Sequence, residues 1–119
     1  MDLAQRVSDA LGIDRSTAEP VVGSILTSIR MAVDAATFGK VSEAVPEAEL
    51  WMRGIPLTSG RTGEIVALAG PEALRRHLKK AGLTEEQIEK AGTTVGDALR
   101  QLLSKDAAEK ITNRITLLK

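Results

Sequence analysis

The chain has no cysteine and no tyrosine, and only one tryptophan, one phenylalanine and one histidine among its 119 residues. Without cysteine there is no disulfide framework, no thiol nucleophile and no zinc ribbon. The single imidazole, His77, would need carboxylates to converge on it before it could hold a metal, and nothing in the spacing forces that. Scarce aromatics leave little for single-stranded nucleic acid to stack on. No apolar run reaches the roughly 18 residues of a membrane span. The opening Met1-Asp2-Leu3-Ala4-Gln5 is neither basic nor apolar, so no signal peptide is expected. Cytoplasmic placement is the default reading, with export requiring a leader already removed.

Charge of one sign is also lacking: 16 Lys and Arg balance 16 Asp and Glu. A protein that lives on phosphate contacts normally shows a basic excess, so nucleic acid is disfavoured as the main partner. The balance is uneven along the chain. Residues 1–60 carry five basic and eight acidic side chains, and residues 61–119 carry eleven and eight. Halves of opposite sign favour contact between the halves, or head-to-tail contact between copies.

What is present is helical periodicity, stated twice. Leu11-Gly12-Ile13-Asp14 answers Ala81-Gly82-Leu83-Thr84, 70 positions on. Ala18, Val21, Ile25, Ile29, Ala32 and Val33 then fall opposite Ile88, Ala91, Val95, Leu99, Leu102 and Leu103 without a gap. Val41 and Val45 match Ile111 and Ile115 in the same register. Small residues face large ones at Ala18 with Ile88, Ala32 with Leu102 and, reversed, Phe38 with Ala108. Such compensation suits two units packed face to face, because a core fills to near-crystal density.

Cap signals divide each unit. Asp2 and Gln5 form a capping-box pattern before a short helix burying Leu3, Val7, Ala10 and Leu11, and Gly12 ends it. Asp14 caps a longer segment to about Val33, with a bend or restart expected at Pro20. Asp34 caps a third helix carrying Phe38, Val41, Ala44 and Val45; Pro46 interrupts it, and Glu47 to Met52 forms a further turn. In the second unit Pro71 opens a helix through Lys80 that buries Leu74 and Leu78, and Gly82 stops it. Thr84 to Gln87 is a capping box before a helix over 85–103, and Ser104 caps the last, with Ala108, Ile111, Ile115 and Leu118 inward. Between the units lie the turn-rich 53–63, bearing Gly54, Pro56, Ser59, Gly60 and Gly63, and a short helical stretch at 64–69.

Leu11-Gly12-Ile13 before a helix, Phe38-Gly39-Lys40-Val41-Ser42-Glu43-Ala44-Val45-Pro46, a glycine-containing linker and Gly82-Leu83-Thr84-Glu85-Glu86-Gln87-Ile88 together resemble the VcgC/VcgE-type bacterial proteins of unknown function. The resemblance spans most of the chain and rests on caps and core positions. It implies a small helical bacterial protein and brings no catalytic residues. The linker here is shorter and poorer in glycine, and the leader common in such proteins is not seen.

Three groups of residues are candidates for function. Arg75-Arg76-His77-Leu78-Lys79-Lys80 could hold phosphate or an acidic partner, although cations at a helix end also complement its dipole. Leu50, Trp51 and Met52 read as core or as an interface anchor. Ser59-Gly60-Arg61-Thr62-Gly63-Glu64 lacks both the Gly-Lys-Ser/Thr ending and the preceding strand of a phosphate loop, so it reads as a connector. His77 has no nucleophile beside it in sequence and reads as solvated; Glu85, Glu86 and Glu89 read as helix-dipole partners.

The sequence therefore predicts a single all-α domain over 1–119. Its architecture is a compact bundle of two related three-helix units, 1–52 and 64–119, joined at 53–63. The function expected is a non-catalytic protein-interaction or structural module, with no catalytic residue, cofactor or metal, working through a protein partner or self-association. Its interaction residues would be Arg75, Arg76, Lys79, Lys80, Leu50, Trp51 and Met52. The alternative is a ligand-binding or enzymatic domain with a pocket between the units, and a third reading is nucleic-acid contact through the basic helix 71–80.

Overall fold

A computed structural model of the chain describes residues 2–53, 71–115 and 118. The turn-rich 54–63 and the expected helical stretch 64–69 lie outside them. Among the described residues every regular element is helical: α1 (Leu3–Leu11), α2 (Arg15–Ala32), α3 (Ala35–Ala44), α4 (Ala48–Met52), α5 (Pro71–Lys80), α6 (Glu85–Leu102) and α7 (Lys105–Arg114). None of these helices is long and apolar enough to cross a membrane.

Helix ends follow the cap chemistry closely. The Asp2 carboxylate accepts from the Gln5 backbone N–H at 2.9 Å. The Gln5 amide turns to Asp9 at 3.0 Å instead of closing the expected box. Gly12 ends α1 at φ 68° and Gly82 follows α5 at φ 104°, left-handed conformations that cost a residue with a Cβ much more. Thr84 and Gln87 close a full capping box on α6, and Ser104 caps α7. Asp14 and Asp34 stand at the N-cap positions of α2 and α3 without a side-chain cap bond. Asp34 instead accepts the hydroxyl of Thr37, which holds its carboxyl below the usual range.

Helix α2 is the axis of the fold. It is buried on every side from Val21 to Ile29, the small Gly23, Ser24, Thr27 and Ser28 enclosed along with the aliphatic residues. It touches every other described helix. Of the bend or restart expected at Pro20, the restart does not occur, for α2 runs through it as one element. Proline there removes a single hydrogen bond, the one Ser16 would have accepted, and Ser16 is exposed so that water can replace it. Helix α1 lies against both α2 and α6, α5 does the same, and α3 meets α7.

The core contains Leu3, Val7, Leu11, Val21, Ile25, Leu26, Ile29, Val41, Val45, Leu74, Leu78, Ile88, Val95, Leu99, Ile111 and Leu118. Each such side chain, fully buried, contributes about 1.5–3 kcal/mol. Of the expected core positions, Ala32, Val33, Phe38, Ala44 and Leu103 are only half-buried at its margin, and two are exposed. Ala10 is exposed, its place on α1 being taken by Ala4 and Ser8. Leu102 ends α6 with 50% of its surface open, so it does not fill the core opposite Ala32.

One buried polar atom in α2 lacks a partner. Thr27 is fully enclosed, and its Oγ1 has no hydrogen bond among the described residues. Burying a hydroxyl unpaired costs about 1–3 kcal/mol. Thr27→Val keeps the shape and removes that cost, so urea melts should show a variant about 1 kcal/mol or more above the native chain. A loss of stability would mean that the hydroxyl is bonded in solution.

Candidate interaction surface

The structure splits the apolar trio, which the sequence left as core or as an interface anchor. Successive helical residues point about 100° apart, so α4 cannot present three in a row on one face. Ala48, Trp51 and Met52 turn inward as one stripe, Trp51 and Met52 each keeping 5% exposure. Leu50 alone points outward at 62%. Trp51 and Met52 are core residues, so neither can anchor an interface.

The basic cluster on α5 also divides. Arg75 reaches Glu85 at 3.7 Å and Glu89 at 3.2 Å, and Lys79 reaches Glu85 at 3.1 Å. These pairs tie α5 to α6, and being exposed they contribute little each. Arg76 and Lys80 are exposed and make no ion pair among the described residues.

His77 is not solvated as its sequence context implied. It is half-buried, with Nε2 3.1 Å from the Ser24 hydroxyl across the α5–α2 contact. Ser24 itself donates to the Pro20 carbonyl at 2.8 Å, so the network assigns the imidazole proton to Nε2, donating to Ser24 Oγ. Desolvation lowers the His77 pKa below 6.5, and the positive charge of Lys80 adds to it. Ser24 keeps 2% exposure and its proton is committed, which makes the pair a structural clamp rather than a nucleophile and base.

The sign of its pH effect follows. The unfolded chain binds a proton near pH 6.5 more readily than the folded one, so stability rises with pH across the interval below 6.5. The clamp's contribution is complete above that value and erodes as pH falls toward the folded pKa. Urea melts between pH 5 and 8 should show this slope, and His77→Gln, which can still donate to Ser24, should flatten it. An unchanged slope in the variant would assign it to other groups.

A concave surface among the described residues lies elsewhere. A groove of about 320 Å³ runs where the α3–α4 turn approaches α1 and α6, floored by Leu3, Val45, Ala98 and Leu102. A shallower depression of about 370 Å³ shares Ala44 and Leu102 with it and extends along α3 past Lys40 and Glu43 to Ser104. Pro46 shapes the turn: it cannot continue α3 and holds Val45 extended at φ −123°.

Charged groups rim this groove unequally. Asp2 is gripped by both terminal Arg15 guanidinium nitrogens at 2.5 and 2.8 Å, and Arg15 Nε remains for Glu19 at 3.1 Å. That fork lowers the Asp2 pKa, against the opposing effect of burial. Arg6 donates to Gln101 at 3.1 Å across the α1–α6 contact. Lys40, Glu43 and Glu47 make no ion pair among the described residues. The charges without an ion pair among the described residues are thus the Glu43 and Glu47 carboxylates, the Lys40 ammonium and the Arg6 guanidinium, around a half-exposed leucine. No periodicity argument singles out Leu102: it continues the buried stripe of α6 and leaves the core only because the helix ends there.

Compared with protein families, with curated proteins and with solved structures, the chain matches none.

Proposed function

We propose that the protein is a non-catalytic helical interaction module that receives a protein segment in the groove between α1, the α3–α4 turn and α6. The observation that supports this reading is Leu102, half-exposed at the meeting of the two depressions. An apolar anchor with a polar rim is how protein contacts concentrate their energy. The carboxylates of Glu43 and Glu47 can meet lysine or arginine flanking an apolar stripe, with Lys40 and Arg6 balancing them on the same rim. The groove serves an enzyme less well, since its one buried-side carboxylate, Asp2, is held by Arg15 and His77 is not in its lining. A resemblance to the VcgC/VcgE-type proteins is compatible with this reading and adds no activity to it.

A synthetic amphipathic peptide with leucines at helical spacing and flanking lysines provides the probe. Its titration into labelled protein should shift amide signals at Ala44, Val45, Ala98 and Leu102 together. Leu102→Glu should weaken binding about tenfold or more, the cost of placing a charge where an apolar anchor sat. Shifts scattered over the surface, or equal binding by the variant, would reject the groove.

Head-to-tail self-association has one observation behind it, the exposed Arg76 and Lys80 on α5 opposite the acidic first half. Sedimentation at tens of micromolar distinguishes it. A salt-sensitive dimer that Arg76→Gln and Lys80→Gln abolish supports the contact, and a single species at 12.7 kDa removes it.

A further inference from the structure

The two halves repeat one another in backbone detail over their two later helices, whereas α1 and α5 differ by one residue in length and α4 has no counterpart among the described residues. Helices α2 and α6 are each 18 residues long, and α3 and α7 each 10, the second of each pair starting 70 positions after the first. Their ends repeat too. Val33 and Leu103 close the long helices at φ −121°, ψ 166° and φ −110°, ψ 163°. Val45 and Ile115 close the next pair at φ −123°, ψ 85° and φ −114°, ψ 98°. At the first junction Ile13 N–H donates back to Ser8 at 3.2 Å, and Leu83 N–H donates back to Leu78 at 3.3 Å. Shared core spacing alone does not require these junctions to coincide in both position and dihedral angle.

The packing between halves is crossed. Helix α1 lies against α6 of the second half as well as against its own α2, and α5 lies against α2 as well as its own α6. A half taken alone would leave both its long helix and the outer face of its first helix uncovered. The apolar stripe Leu3, Ala4, Val7 and Leu11 would then meet only one of its two neighbours.

We propose that the chain is a tandem fusion of one three-helix unit with its own exchanging partner, and that the crossed surface, α1 on α6 and α5 on α2, is a self-recognition surface through which two copies of the chain associate by trading units. The occupant is a second copy because each unit already carries the complement of the other. The exchanged dimer makes the same contacts as the closed monomer and creates no new surface to optimise. Joining the units in one chain holds them at an effective concentration of order millimolar, so the closed monomer dominates in dilute solution. Unfolding and refolding at high concentration opens the alternative. This proposal does not depend on the groove.

The cysteine-free chain permits a direct test. Arg6 on α1 and Gln101 on α6 are joined side chain to side chain at 3.1 Å. Single variants Arg6→Cys and Gln101→Cys are unfolded together, refolded together near millimolar concentration and oxidised. Unit exchange yields a disulfide-linked heterodimer beyond the roughly twofold excess over each like-with-like dimer that random collision gives. Only monomers, or no excess, overturns the proposal. Size exclusion of the unaltered chain refolded in the same way gives a readout independent of thiol geometry. A dimer that survives dilution and high salt, reverting only through unfolding, supports exchange, and monomer alone refutes it.

Discussion

Truncating Ile25 or Leu99 to alanine is expected to lower the free energy of unfolding by about 2–5 kcal/mol each. Both side chains are fully enclosed, at the centre of the two long helices. The removed methyl and methylene groups lose their transfer energy, and the close-packed surroundings collapse only partly into the space. A small domain holds about 5–15 kcal/mol in total, so either change consumes a large share and the pair together should prevent folding. Because α2 contacts more of the fold than α6 does, Ile25→Ala should sit at the upper end of the range. Urea melts with an unchanged slope provide the measurement. Losses well under about 1 kcal/mol for both would show that these two faces are not the buried ones.

Gly96→Ala is expected to destabilise the protein by about 1–3 kcal/mol, although alanine is the better helix former. A Cβ built on Gly96 would run into the carbonyl oxygen of Leu118, a backbone atom rather than the tip of a flexible side chain. That oxygen also accepts from Arg100 Nη2 at 3.0 Å, and the Leu118 side chain is fully buried. Two effects compete. Alanine gains up to about 1 kcal/mol in helix propensity. Lifting the C-terminal turn forfeits the burial of a leucine, about 1.5–3 kcal/mol, so the clash prevails. Gly39 is the control, since nothing lies within 4 Å of its added Cβ on α3. Gly39→Ala should stabilise by up to about 1 kcal/mol. A cycle between Gly96→Ala and Leu118→Ala should be strongly non-additive, because the first change already releases what the second removes. Additive losses would place the strain elsewhere.

Local chemistry was legible where one or two residues decide the outcome. Gly12 and Gly82 had to be left-handed, Thr84 and Gln87 had the spacing of a capping box, and Ser104 had a free N–H three residues on. The inward faces of α2 and α6 followed from period alone. No restart occurs at Pro20, because propensity counts a lost hydrogen bond without knowing that the exposed Ser16 leaves its carbonyl open to water.

The candidate site was less legible, and for a different reason. Leu50, Trp51 and Met52 look alike as a run, and only the packing of α4 on α2 and α3 decided which two go inside. Arg75 and Lys79 looked available until the close approach of α5 to α6 supplied Glu85 and Glu89. His77 met Ser24 across 53 positions of sequence, a distance over which no local pattern carries information.

By itself the sequence determined an all-helical chain, the ends of most helices and the two long apolar stripes, because helix periodicity and caps are written in residues three or four apart. Tertiary structure alone decided that α2 is enclosed on every side and that each first helix spans both long ones. It also decided that Leu102 comes to the surface beside a groove. Those are outcomes of how whole helices share one core volume, and no short stretch of residues contains that volume.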